Sequence, residues 1–120
     1  MNARQVVLVT GGNTGLGYEI VRALCASDVA YEVLVGGRSL AKAEHALQSM
    51  SKEFPATHTH LTSIQVDLED DTSISSAFQF VSDTYGRLDA LVNNGGGWSG
   101  DSPMTHYLLT AVHSARLSAR

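Results

Sequence analysis

Apolar side chains in this chain come in short unbroken runs, and between the runs they recur every three or four residues. The first run, Val6-Val7-Leu8-Val9 within residues 5–10, and the second, residues 31–36, are continuous enough to predict strands buried on both faces, as in a parallel sheet. A helical pattern over residues 16–27 separates them. Leu40, Ala43, Leu47 and Met50 then fall on one face of a helix over 39–51, with Ser39 as its N-cap. Phe54-Pro55 ends that helix, because the residue before a proline is pushed out of the helical region. The polar stretch 56–62 predicts a loop, and Ser63-Ile64-Gln65-Val66-Asp67 alternates as a third strand. Ile74, Ala77, Phe78 and Val81 mark a helix over 71–85 closed by Gly86, and residues 88–92 form a fourth buried strand. The order β-α-β-α-β-α-β, joined by right-handed crossovers, predicts an α/β domain: one doubly wound parallel sheet of about four strands with helices on both faces, its strands ordered 3-2-1-4 by analogy with the doubly wound fold.

Length and composition narrow this picture without changing it. At 120 residues, with 43% hydrophobic and 17% charged content, the chain is one ordinary globular domain spanning 1–120. Its net charge of −4 argues against nucleic acid or an anionic membrane as partner. No segment approaches the roughly 20 apolar residues of a membrane span. The run at Val6–Val9 is far shorter than the core of a signal peptide and stops at glycine, so the expected setting is cytoplasmic. The single cysteine, Cys25, shares the apolar side of the first helix with Ile20, Val21 and Leu24 and reads as a small core residue. No metal site is expected. His106 and His113 are seven residues apart, about 10 Å along a helix, and His58 and His60 have no acidic or cysteine neighbour in sequence.

The chemistry concentrates where the first strand runs into Thr10-Gly11-Gly12-Asn13-Thr14-Gly15-Leu16-Gly17. Gly11 permits a sharp turn, Gly15 permits close approach of backbone to a pyrophosphate, and Gly17 permits tight packing of the helix on the sheet. The following helix aims its unpaired N–H groups and positive dipole end at that anion. At the end of the second strand, where an acidic residue would take a ribose 2′-hydroxyl, there is no carboxylate; instead Arg38 and Ser39 follow Gly36-Gly37. A planar guanidinium grips phosphate oxygens bidentately, which favours NADP(H) over NAD(H).

The spacing Thr-Gly-x-x-x-Gly-x-Gly resembles the short-chain dehydrogenase/reductase family, and two further elements carry the resemblance. Asp67-Leu68 after the third strand is similar to the family's adenine contact, with an N-cap for the next helix as its alternative role. Asn93-Asn94-Gly95-Gly96 is similar to the family's Asn-Asn-Ala-Gly element, with Gly95 in place of alanine. The resemblance covers residues 5–97, with 98–120 divergent, and implies a Rossmann-type domain whose cofactor-binding residues are Gly11, Asn13, Thr14, Gly15, Leu16, Gly17, Arg38, Ser39, Asp67, Leu68, Asn93, Asn94 and Gly95. It also implies hydride transfer between a nicotinamide and a carbonyl or alcohol of a small molecule.

The family's catalytic set has no counterpart in these residues. None of Tyr18, Tyr31, Tyr85 and Tyr107 has a lysine four positions later, and no asparagine follows Asn94. A tyrosine with no lysine to lower its pKa from about 10 has no evident means of acting as acid or base near neutrality. Pro103 can start a helix with Tyr107, Leu108, Ala111 and Ala115 on one face, and its His113 reads as an exposed residue and not as a general acid. The chain is thus expected to be a truncated, NADP(H)-binding part of such an oxidoreductase without a catalytic residue of its own. Two other readings stand beside it: a non-catalytic dinucleotide-binding or interaction module, and a truncated product without function. Either way, the fourth strand should leave one unpaired edge, through which self-association is expected.

Overall fold

The structure is a computed structural model that describes residues 4–13 and 15–94. Seven elements alternate along it: β1 (Gln5–Thr10), α1 (Gly15–Ala26), β2 (Tyr31–Gly37), α2 (Leu40–Glu53), β3 (His60–Gln65), α3 (Asp71–Tyr85) and β4 (Ala90–Asn93). The strands form one parallel sheet, as the alternation of runs and helical patterns predicts, in the order β3-β2-β1-β4 expected by analogy with the doubly wound fold. In the central register Leu8 lies between Leu34 and Leu91, and Val9 between Val35 and Val92.

Because side chains alternate along a strand, the continuous apolar runs supply two cores. Val6, Leu8, Leu34, Ile64 and Val66 face α3 and its Ala77 and Val81. Val7, Val9, Val33 and Val35 face the other way, onto Val21 and Cys25 of α1 and Met50 of α2. Leu8 and Leu34 are wholly buried, each contributing about 1.5–3 kcal/mol of transfer free energy.

The helices are delimited by side chains and backbone geometry. Ser39 Oγ accepts from the Lys42 N–H at 3.3 Å, and α2 continues past the expected residue 51 until the Phe54 N–H bonds the Met50 carbonyl at 3.0 Å ahead of Pro55. Its buried face is Ala43, Ala46 and Met50; Leu40, expected on that face, remains 41% exposed at the first turn. Asp70 caps α3, its Oδ1 accepting from Thr72 N at 3.0 Å, so the capping role open to Asp67 falls to Asp70. Gly86 ends α3 in the left-handed region at φ 71°.

Two strand boundaries differ from expectation. β3 begins at His60, inside the stretch expected to be loop, and ends at Gln65. Its ladder partners are Glu32 to Gly37 of β2, and pairing on one side only among the described residues leaves its side chains mostly half-exposed, so polar residues are tolerated. β4 begins at Ala90 and not at residue 88. Just before it, Asp89 donates its N–H to the Val6 carbonyl at 2.9 Å, and its Oδ2 accepts the Val6 N–H at 2.7 Å. A side-chain carboxylate thus replaces the backbone carbonyl that a longer strand would present, while Leu88 still packs in the α3-side core. β4 itself is half-exposed rather than buried, since among the described residues it borders β1 alone.

No described helix is long and apolar enough to cross a membrane.

Candidate functional site

In a parallel sheet every strand delivers its carboxyl end to the same edge, and the residues singled out in the sequence lie along that edge. β1 ends in Thr10 and the chain turns at Gly11, whose φ is 64°. Gly12 then donates its N–H to the Gly36 carbonyl at 3.0 Å. A methyl at Gly12 would lie 3.1 Å from the Val9 carbonyl, 3.3 Å from Val35 and 3.5 Å from Val21. Gly12, which the sequence reading passed over, is thus a turn residue tightly enclosed between Val21 of α1 and Val9 and Val35 of the sheet. Gly17, expected to allow tight packing of the helix, is buried on α1 and closely approached: a side chain there would run into the Gly11 carbonyl and lie 2.8 Å from Asn94 Nδ2. It closes the turn onto the segment after β4.

Gly15 is the opposite case. Its φ is 55°, and nothing lies within 4 Å of where a Cβ would be. Open space over a positive-φ glycine, at the first turn of a twelve-residue helix, leaves backbone N–H groups accessible to an anion. Beside it Leu16 is 67% exposed, a large apolar side chain on the same rim.

Thr10 joins this turn to β4. Its side chain is buried, its Oγ1 accepts the Asn94 N–H at 3.0 Å, and its own proton faces Asn93 Oδ1 at 3.1 Å and the Val92 carbonyl at 3.3 Å. A hydroxyl-bearing residue ending an apolar run was the available signal for this role.

At the end of β2 the Asn13 side chain covers Gly37, with Oδ1 3.1 Å from the position of a Cβ. Arg38 follows, exposed, and among the described residues its guanidinium has neither a hydrogen bond nor an ion pair; only its carbonyl is engaged, by Gln65 Nε2 at 3.2 Å. Ser39 spends a lone pair on the cap of α2, which leaves its hydroxyl proton free to donate.

Asp67 stands after β3. Its N–H donates to Ser73 Oγ at 2.9 Å and its Oδ1 accepts the Glu69 N–H at 3.0 Å. It lines a cleft of about 470 Å³ along the outer side of β3, together with Leu40, Gln65, Asp70 and Phe80. Leu68 packs against the α3-side core. The edge thus gathers Gly11, Asn13, Gly15, Leu16, Gly17, Asn93 and Asn94 around the tip of β1, with Arg38, Ser39, Asp67 and Leu68 after the two neighbouring strands. Thr14 and Gly95 lie outside the described residues, as do His106, His113 and the helix expected from Pro103 onward.

Cys25, away from this edge, is 4% exposed, and burial, with a smaller contribution from the Glu53 carboxylate, pushes its thiol pKa upward. It is a packing residue with little thiolate to offer.

The short chain dehydrogenase family matches residues 5–115, nearly the whole chain. The chain belongs to that family. Its members are oxidoreductases, and the similarity extends beyond the glycine turn. A short-chain dehydrogenase/reductase of Phoma sp, eupG, is 40% identical over 116 residues, covering 96% of this chain and 38% of its own length. Carbonyl reductase [NADPH] 1 of Pongo abelii is 40% identical over 91 residues, covering 76% of this chain and 31% of its own. Among solved structures, menthone neomenthol reductase from Mentha piperita superposes with a TM-score of 0.72 at 26% identity, over 98% of this chain and 41% of that one. The chain therefore spans about two fifths or less of the length of these short-chain dehydrogenases.

Proposed function

We propose that this chain holds the cofactor of a short-chain dehydrogenase/reductase-type oxidoreductase and takes NADP(H) in preference to NAD(H). The observation that carries the preference is at the end of β2, where Gly37 has no side chain and the Arg38 guanidinium has no partner among the described residues. An acid at that place would accept from a ribose 2′-hydroxyl, whereas an unpaired guanidinium meets a 2′-phosphate with two parallel N–H donors. The Ser39 hydroxyl and the amino end of α2 add donors beside it.

The remaining residues fit the rest of the dinucleotide. The open backbone at Gly15 and the first turn of α1 would take the pyrophosphate, flanked by Gly11, Asn13, Thr14 and Gly17. Asp67 and Leu68 would contact adenine, and Leu16, Asn93, Asn94 and Gly95 would line the path toward the nicotinamide. The cofactor supplies the hydride exchanged with a carbonyl or alcohol carbon of a small molecule. Within these 120 residues no tyrosine is followed by lysine at the fourth position, so the chain's own contribution is to bind and orient the cofactor rather than to move a proton.

Titration calorimetry of the chain with NADPH and with NADH tests the reading. NADPH should bind more tightly by about 1.5–3 kcal/mol, the range for hydrogen bonds to a charged group, and Arg38→Ala should abolish the difference. Equal or reversed affinities would refute it. In an assay of NADPH consumption with ketones, aldehydes and quinones, the purified chain should show no turnover.

A further inference from the structure

β3 is an outer strand of the described sheet, and one bond fixes which way its free backbone groups point. The Val66 N–H, just past the strand, donates to the Gly37 carbonyl of β2 at 2.9 Å. Backbone groups alternate sides along an extended chain, so Thr62 and Ile64 also face β2, whereas Leu61, Ser63 and Gln65 turn their N–H and C=O groups outward. Such a row is a template for another extended chain. Beside it runs the cleft of about 470 Å³, walled by Leu40 at the start of α2 and by α3, whose Ser73, Ser76 and Ala77 are too small to fill the space. Leu40 and Phe80, which flank the edge, are two of the four large hydrophobic residues exposed among those described. The charged side chains lining the cleft are Asp67 and Asp70, and among the described residues no basic one joins them. Each carboxylate accepts a backbone N–H through Oδ1, which leaves Oδ2 to a ligand.

We propose that the outer edge of β3 docks an extended peptide that carries a basic and an apolar residue four positions apart, added to the sheet as an antiparallel strand. Its backbone pairs with Leu61, Ser63 and Gln65, its cation meets Asp70, and its apolar side chain covers Phe80. The spacing comes from α3: Asp70 and Phe80 are ten positions apart, about 15 Å along a helix, which an extended chain covers in about four residues. An even number keeps both peptide side chains on the α3 face. Charge selects a cationic peptide over a second copy, since this chain carries −4 and two copies edge to edge would bring like-charged clefts together. Only Asp67, at the upper end of the cleft, is shared with the dinucleotide site, so peptide and cofactor are held by otherwise separate residues.

The probe is a fluorescently labelled peptide, Thr-Arg-Thr-Val-Thr-Phe-Thr, titrated against the full 120-residue chain by anisotropy. Wild type should bind it at low ionic strength and lose affinity as salt is added. Asp70→Asn keeps a residue able to cap α3 and should bind about tenfold more weakly. Ser63→Pro deletes an outward N–H, leaves the β2 ladder intact, and should abolish binding. N-methylation of the peptide makes the same test without touching the fold. Leu61 packs toward α1 and α2, so the peptide residues bonded opposite Leu61, Ser63 and Gln65 share that face, and the arginine, valine and phenylalanine on the α3 face turn their amides away from β3. Methyl groups on the internal threonine amides should abolish binding, while methyl groups on the other three should leave it. Three results would each overturn the assignment: no binding by the folded wild-type chain, binding indifferent to Asp70→Asn and to threonine N-methylation, or a dimer in analytical ultracentrifugation that Ser63→Pro dissociates, which would give the edge to a second copy.

Discussion

β1 and β3 are both six-residue strands of one parallel sheet, yet they are specified in different ways. β1 has five consecutive buried residues, a partner strand on each side, and a terminal threonine bonded to the segment after β4. β3 has one buried residue, Ile64, one partner strand among the described residues, and an exposed outer side along the cleft with Leu40 and Phe80. The difference teaches where a parallel sheet stores its information. A strand enclosed on all sides must be apolar at every position and must turn at glycine, so both its packing and its site are visible in its own residues. An edge strand is held by its neighbour's backbone, and almost any half-buried sequence serves.

The contrast is broken most severely at the turn after β1. Gly17→Ala drives a methyl into the Gly11 carbonyl, a backbone atom that cannot step aside, and should cost about 3 kcal/mol or prevent folding. Gly15→Ala meets open space and should cost only about 1 kcal/mol for its positive φ while still weakening dinucleotide binding. Urea denaturation of both variants measures the gap, and equal losses would mean that the turn is not packed as described.

Next in size is the comparison of buried leucines. Leu8→Ala, at a wholly buried position of β1, should cost about 2–5 kcal/mol. Leu61→Ala in β3, which is only half-buried, should cost about 1 kcal/mol. If the two midpoints in urea fall together, the edge strand is bearing as much of the fold as the centre.

The smallest effect lies at the start of β3. His60 Nδ1 is 2.9 Å from Glu32 Oε1, directly across the ladder, but the His60 side chain is 61% exposed. His60→Ala should change stability by no more than about 0.5 kcal/mol. A loss of several kcal/mol in the same denaturation would show that this pair, rather than the β2 backbone, holds the edge strand in place.

Legibility in the sequence followed the same division. The elements and the parallel direction of the strands could be read from Val6–Val9, residues 31–36 and the helical spacing of Ile74, Ala77 and Val81, because burial on both faces leaves little freedom for polar residues, whereas their order 3-2-1-4 came from analogy with the doubly wound fold. The start of β3 could not, since His60 and Thr62 look like loop when the partner strand is unknown. Asp70, and not Asp67, caps α3, a choice among adjacent acidic residues that spacing alone does not make. Within the site, the positive-φ glycines were legible from the motif, but the packing duty of Gly12 depends on Val21 and Val35, two elements away. The contact of Asn13 with Gly37 was equally invisible, because it joins residues whose proximity exists only once β1 and β2 pair.

The bond from Asn94 to Thr10 also says when the site can exist. It closes a separation of 84 positions, and the parallel pairing of β1 with β4 spans nearly as many. Contacts so distant in sequence form late, after the loop entropy between them has been overcome. During synthesis, β1, α1 and β2 can dock as soon as they emerge, but the cup at the tip of β1 stays open on one side until Asn94 has left the ribosome. A nascent chain ending at residue 86 would contain every glycine of the turn and still lack the wall that Thr10 holds.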